Sequence, residues 1–392
     1  MKKKLLVYSH DTYGLGNLQR MSSICRYLAE HIPQLSILLV SGSPMAHSFR
    51  MWPDVDYIKL PCLTRVGTEG YTPKFLALGI NETIKLRADL ILSAVTNFQP
   101  DLLLIDKKPF GVKNELAPAL QFIHKKLRHT KLALILRDIL DTPEVTTRIW
   151  HRHGYFQAIA DFYAQVLVMG VPEIFDPRSE YDFPASVAEK VLFCGYTRRE
   201  SGRRSTEDIR SELGLADNER LIVVTAGGGE DGYELIANYL AAVRDISESE
   251  RLFSLIVSGP EMHAEQRQFI QQDITQTPRA KCIEFTDDLM SYFNAAEIIV
   301  AMSGYNTVCE ILTLQRRAVL VPRVRPVQEQ LIRAERIAAL GLVRYVHPDQ
   351  LTPENMRSAL IDQLHRHQDS ITDQINLDAL PNIAAWVKAA LT

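Results

Sequence analysis

Short apolar runs recur through the first half of the chain: KLLVYS (residues 4–9), LSILLVSG (35–42), PDLLLID (100–106), KLALILRD (131–138), QVLVMG (165–170) and KVLFCG (190–195). After Tyr196 the series restarts with RLIVVTAGG (220–228), LFSLIVSG (252–259), CIEF (282–285), EIIVAMSG (297–304), RAVLVP (317–322) and LVRYV (342–346). Segments of helix length separate them. Strands that are apolar throughout are buried on both faces, so the pattern predicts parallel sheets covered by helices on either side. The basic segment TRRESGRRSTED (197–208) breaks the rhythm and is where the interdomain linker is expected to start. The expected class is α/β: two doubly wound, Rossmann-like domains, residues 1–196 and 197–375, facing each other across a cleft, with a last helix in 376–392. In such folds ligands sit beyond the carboxyl ends of the strands.

A length of 392 residues suits two domains of roughly 180–200 residues. Hydrophobic content of 46% and charged content of 23% are ordinary for a soluble globular protein, and a net charge of −3 gives no reason to expect nucleic acid. The basic runs KKLRHTK (125–131) and RRESGRR (198–204) read as solvated helix ends or linker. Cys25, Cys62, Cys194, Cys282 and Cys309 have no CxxC spacing, and are expected to be buried thiols in a reducing compartment. The apolar run after the N-terminal lysines is too short for a signal peptide, and no run reaches membrane-span length, so a cytoplasmic protein is expected.

Candidate chemistry lies in the turns that follow strands. SHDTYGLGNLQR (9–20) approaches a helix through Gly14 and Gly16, a way to offer backbone N–H groups to an anion or a sugar. TAGGGEDGYELI (225–236) has GxGxxG spacing at Gly227, Gly229 and Gly232. The second strand, however, ends Ser258-Gly259-Pro260 with no carboxylate for a ribose, which argues against NAD. A tight turn, or a loop of Gly227, Gly228 and Gly229 approaching nucleotide phosphates, both fit. Strand EIIVAM runs into Ser303-Gly304-Tyr305, and a helix is expected near Asn306 and Thr307, where a phosphate would meet unpaired N–H groups. Glu310, one turn further, suits the vicinal hydroxyls of a ribose; Thr307-x-x-Glu310 is equally a capping box. Gln328, Glu329 and Gln330 open the next helix and read either as sugar-hydroxyl contacts or as solvated polar residues.

The segment SGYNTVCEILTLQRRAVLVPRVRPVQEQLIRAERIAALG resembles the donor half of GT-B glycosyltransferases of family 28, which includes the N-acetylglucosaminyltransferase that completes lipid II. EFTDDLMSYFNAAE, TAGGGEDG and SHDTYGLGNLQR are similar to the family's uracil segment, its diphosphate loop and its acceptor-side glycine loop. A likeness to "predicted glycosyltransferase" chains with a YGLG loop and PDLLLID extends over the whole length. The resemblance implies a nucleotide-sugar donor, UDP-linked by family precedent. Main-chain groups of Phe285 and Thr286 would hold the base and Glu310 the ribose. Ser303, Gly304, Asn306 and Thr307 would surround the diphosphate, and Glu329 and Gln330 would meet the donor sugar. It also implies that NIAAWVKAALT (382–392) crosses back to the first domain.

Two departures matter. The family's loop histidine is Asn17 here, and a carboxamide cannot act as a base. The base that deprotonates the acceptor is therefore sought among His10, Asp11 and Asp106, with loop capping an equal reading for both aspartates. Glu329 replaces an amide of the lipid-II enzyme's Gln-Gln pair, so an N-acetylhexosamine donor is not assumed. The mechanism expected is inverting single displacement without a metal; Asp54-x-Asp56 is the sole Asp-x-Asp pair and lies at no suitable strand end. No other cofactor is expected, and the partners are the nucleotide-sugar donor and a small-molecule or lipid-linked acceptor. LTRVGTEGYTPKFLALG (63–79) reads as a mobile loop and apolar helix that either meets a membrane-surface acceptor or packs within its domain. The alternatives are a nucleotide-sugar hydrolase, whose G-x-G-H-x-x-R loop GLGNLQR resembles with Arg20 matching, an epimerase of the same fold, or a non-catalytic binding subunit.

Overall fold

The structure is a computed structural model, and it describes residues 2–10, 16–46, 52–66, 70–366 and 375–392. The chain divides into two compact units, Met1–Thr197 with Asp378–Thr392, and Arg198–Leu377.

The first unit contains β1 (Lys3–Ser9), β2 (Leu35–Ser41), β3 (Val55–Lys59), β4 (Leu63–Val66), β5 (Gly70–Pro73), β6 (Leu102–Asp106), β7 (Lys131–Arg137), β8 (Gln165–Met169) and β9 (Val191–Phe193). Seven of these form a parallel sheet in the order β3-β2-β1-β6-β7-β8-β9. The chain winds outward from β1 to β3, then returns to lay β6 against the other side of β1. That reversal opens a crevice at the carboxyl ends of β1 and β6, the usual ligand position in this topology. Both strands are apolar throughout because helices cover both faces; Leu5, Leu6, Val7 and Leu102–Ile105 are fully buried.

Segment 63–79 corrects the expected loop and apolar helix. β4 and β5 form an antiparallel hairpin, with Arg65 opposite Tyr71, and the helix that follows begins only at Ile80. The four residues Leu63–Val66 are too few, and do not alternate in polarity, for a strand to stand out. Phe75, Leu76 and Leu78 lie exposed in the irregular stretch between hairpin and helix.

The second unit contains β10 (Arg220–Thr225), β11 (Leu252–Val257), β12 (Ala280–Ile283), β13 (Ile298–Ala301), β14 (Arg317–Leu320) and β15 (Arg344–Tyr345). They pair in parallel in the order β12-β11-β10-β13-β14-β15, so the reversal falls between β10 and β13. The helix Tyr233–Arg244 buries Leu235, Ile236, Tyr239, Leu240 and Val243 against this sheet, beside Met356, Leu360 and Leu364 of the helix Pro353–His365. The stretch after Thr197 is held to this unit. Arg203 pairs with Asp287, Arg204 pairs with Asp288 and stacks on Tyr292, and Gly202 lies against Ser291, leaving no room for a Cβ.

The helix Ala379–Leu391 belongs to the first unit, where it packs on the helix Gly16–His31. Asn382 donates to the Cys194 carbonyl at 2.9 Å and Trp386 to Gln165 at 3.0 Å. All five cysteines are free; Cys282 alone is half-buried. No helix among the described residues is long and apolar enough to cross a membrane.

Candidate active site

In the second unit, three turns leave the sheet at the β10/β13 reversal. Gly227 (φ +65°) and Gly229 (φ +102°) carry the turn after β10. A Cβ on Gly229 would stand 2.5 Å from the Ser258 carbonyl oxygen, and one on Gly259 would stand 2.4 Å from that of Gly228. These glycines let the β10 and β11 turns touch backbone to backbone. Gly227 and Gly304, by contrast, have nothing within 4 Å on their Cβ side, so open space lies over both.

The helix Tyr305–Leu314 follows β13 with Gly304 as its N-cap and no side chain capping it. Its first N–H groups therefore point into that space with the positive end of the helix dipole. The helix starts earlier than the sequence predicts, which puts Thr307 at its third position and Glu310 in the second turn. The Thr307–Glu310 capping box does not form. Tyr305, Val308, Cys309, Ile311 and Leu312 face the core, while Asn306, Glu310 and Thr313 share the opposite face. Arg199 runs along that face: its backbone N–H donates to Thr313 at 3.1 Å and its guanidinium to Asn306 at 2.5 Å. Its Nε is buried without a hydrogen-bond partner. Burial pushes the Glu310 carboxyl up to about 7, against a smaller opposing pull from Arg199. A carboxyl so destabilised in its charged form, with no structural hydrogen bond among the described residues, is poised to accept donors from outside the protein.

Ser303 is fully buried and donates to the Gln330 carbonyl at 2.7 Å. Arg333, also fully buried, donates to the Ser303 carbonyl at 2.8 Å and pairs with Glu329 at 3.3 Å. Gln330 accepts the Arg323 backbone N–H at 3.2 Å. Glu329 and Gln330 are thus not solvated helix-start residues; both are buried and hold the turns after β13 and β14 together. Beyond β12, Phe285 is 64% exposed, and the Thr286 hydroxyl accepts the Asp288 N–H at 3.1 Å. The Gly259 N–H donates to Glu284, which ties this segment to the glycine turns.

In the first unit, the β1/β6 reversal carries a second polar cluster. Asp106 is buried, bound by Arg20 at 2.6 Å and by the His10 backbone N–H at 3.3 Å. Asn17 donates to the His10 carbonyl at 2.9 Å and accepts from Arg20 at 3.4 Å. His10 is only 2% exposed, and its Nδ1 has no hydrogen-bond partner. Burial, then the charges of Lys107, Lys108, Arg87 and Arg65, hold its pKa well below the ordinary histidine value. Below it, Tyr8 and Arg87 converge on the buried Glu115 carboxylate at 2.5 Å. Asp11 and Gly14 lie outside the described residues.

Residues 221–384 match the glycosyltransferase family 28 C-terminal domain. That match spans most of the second unit. An uncharacterized glycosyltransferase of Methanopyrus kandleri is 23% identical over 58% of this chain and 61% of its own length. The UDP-N-acetylglucosamine–N-acetylmuramyl-(pentapeptide) pyrophosphoryl-undecaprenol N-acetylglucosamine transferase of Clostridioides difficile is 22% identical over 55% and 52%. The chain thus spans little more than half the length of these relatives. Among solved structures, MurG of Acinetobacter baumannii superposes with a TM-score of 0.66 at 12% identity, covering 99% of both chains. A Listeria monocytogenes protein described as a putative UDP-N-acetylglucosamine 2-epimerase gives 0.68 at 14%, covering 100% of this chain and 96% of its own. The fold is GT-B, with two Rossmann-like units.

Against this family 28 background, Gly227, Gly228, Gly229, Ser303, Gly304, Asn306, Thr307, Glu310, Glu329 and Gln330 all gather at one end of one sheet. Gly16 begins its helix, and Asn17 in its first turn holds the His10 carbonyl. Asp106 is buried in an ion pair with Arg20 and holds the His10 backbone N–H. Sequence reading missed Arg199, Arg333 and the cations around His10. Arg199 lies 107 residues before its partner Asn306, a separation no local spacing can bridge. Arg333, at i+4 from Glu329 in one helix, carried a readable signal.

Proposed function

We propose that the chain is an inverting glycosyltransferase that takes a sugar from a nucleoside-diphosphate donor held by the second unit. The carrying observation is the Glu310 carboxyl, raised to about 7 by burial beside an uncapped helix N-terminus. As an anion it accepts both hydroxyls of a ribose, which offsets its cost of burial. The diphosphate then lies over Gly304, within reach of the first helical N–H groups and the open side of Gly227. Main-chain groups at Phe285 and Thr286 take the base, and Glu329 and Gln330 orient the sugar. As the bond from the anomeric carbon to the diphosphate oxygen breaks, the charge left on the diphosphate is met by preorganised N–H groups and arginine. The reading routes no step through a metal.

In the same reading, His10 is the base. Its imidazole is neutral at pH 7 because of burial and surrounding cations, so it can take the acceptor's hydroxyl proton as the new glycosidic bond forms. Asn17 and Asp106 position it by holding its backbone, with Arg20 bound to both. The exposed Phe75, Leu76 and Leu78, with Lys74 beside Phe75, suit a lipid-linked acceptor met at a membrane surface.

The test is a binding panel of UDP, GDP, ADP, dTDP and their common sugar conjugates, followed by product analysis. One nucleoside diphosphate family raising the melting temperature, and a new glycoside on an added acceptor lipid extract, support the reading. Free sugar alone identifies a hydrolase, and an epimerised donor identifies an epimerase. Binding of none refutes a donor site.

A further inference from the structure

We infer that Arg323 is a movable cation of the donor site and that Asp231 competes for it: their ion pair borders the diphosphate position, and a bound nucleoside diphosphate takes Arg323 from Asp231. This rests on the donor site proposed above. Arg323 follows β14 and Asp231 lies in the turn after β10, and the two side chains meet at 3.2 Å. Because β13 lies between β10 and β14 in the sheet, the pair joins the turns on either side of the Ser303–Gly304 turn, where the helix N-terminus opens. The open space over Gly304 thus has the pair at its border, within reach of a phosphate placed there.

Three features make Arg323 ready to change partner. Both side chains are about a third to a half exposed, so their mutual attraction is weak and screened. The Arg323 backbone is anchored to Gln330, leaving the guanidinium alone to swing. Its Nε is buried without a partner, so Asp231 satisfies the guanidinium only in part. A phosphate can take two parallel N–H groups of an arginine where Asp231 takes one. Asp231 also stands as a fixed negative charge near the diphosphate position and opposes it until Arg323 has moved. The pair thus grades ligands by phosphate charge: a nucleoside has nothing with which to displace Asp231.

The test is calorimetric titration of the full chain with UDP, GDP, ADP and dTDP, then with the matching nucleoside, for wild type, Asp231→Asn, Arg323→Gln and the double variant. The unfolding midpoint of each variant serves as a fold control. Asp231→Asn is expected to tighten the preferred diphosphate about tenfold, the size of one partly screened charge–charge interaction at this range, and to leave the nucleoside unchanged. Arg323→Gln is expected to weaken the diphosphate by a similar factor. In the double variant the gain from Asp231→Asn should shrink, because there is no arginine to release. Unchanged or weaker diphosphate binding in Asp231→Asn overturns the inference, as does equal tightening of the nucleoside. Wild-type failure to bind any diphosphate overturns the donor-site reading itself, and the inference with it.

Discussion

Replacing Glu310 with glutamine should make the protein more stable and less able to bind nucleotide, a combination that a merely structural glutamate cannot produce. The carboxyl is raised from an ordinary 4.5 to about 7. At 1.36 kcal/mol per pKa unit, the ionised form is disfavoured in the folded chain by about 3 kcal/mol, and partial exposure trims this to about 2 kcal/mol. Between pH 4.5 and 7 the unfolded chain loses this proton first, so wild-type stability falls as pH rises through that window. Above pH 7 the whole cost is present. A glutamine carries none of it. The variant should therefore gain little at pH 4.5 and about 2 kcal/mol at pH 8, or a melting temperature higher by roughly 5 °C in a unit of this size. Nucleotide affinity should move the other way: lost in the variant, and in wild type falling toward tenfold per unit as pH drops below 7. Thermal unfolding from pH 4.5 to 8, with and without the preferred nucleotide, reads both effects. A variant less stable than wild type at pH 8 would mean that Glu310 holds the helix, and undiminished nucleotide binding would remove the ribose contact.

His10→Asn should abolish transfer while leaving donor titration unchanged; retained turnover would exclude His10 as the base. The same variant should resist acid better, because a histidine kept neutral by burial stabilises the fold fully above pH 6.5 and progressively less as pH falls below it. Asp106→Asn leaves Arg20 buried without its counter-ion and should cost about 3 kcal/mol in urea unfolding; a neutral result would mean the pair carries no structural load. Serine at Phe75, Leu76 and Leu78 together should lower co-sedimentation with phosphatidylglycerol vesicles without changing nucleotide affinity. Unchanged sedimentation would remove this surface from membrane contact.

The α/β class was legible because its signal is repeated: strand after strand is apolar throughout, and only sheets buried on both faces ask for that. The missed strands are those lacking this signature. β3 buries one residue of five, and the β4–β5 hairpin lies outside the main sheet. The turns at Gly227–Gly229 and Ser303–Gly304 were readable because glycine after an apolar run has few other uses. What one turn does for another was not. The capping-box reading of Glu310 fails because the N-cap is Gly304, three residues before Thr307. The ion-pair partner of Asp106 was not legible, because Arg20 is distant in sequence and arrives by folding. Glu329 and Gln330 looked like solvated residues because their burial comes from packing, although Arg333 at i+4 from Glu329 was a readable partner.

The return of residues 378–392 to the first unit has a consequence for synthesis. On the ribosome the second unit is complete before the first has received its last helix. Until then, the surface of Gly16–His31 that this helix covers stays bare, and the covered helix is the one whose Asn17 holds the His10 carbonyl. The nascent chain should thus complete its second unit well before its first. A chain cut after Leu377 would keep the second unit whole and leave that face of Gly16–His31 bare.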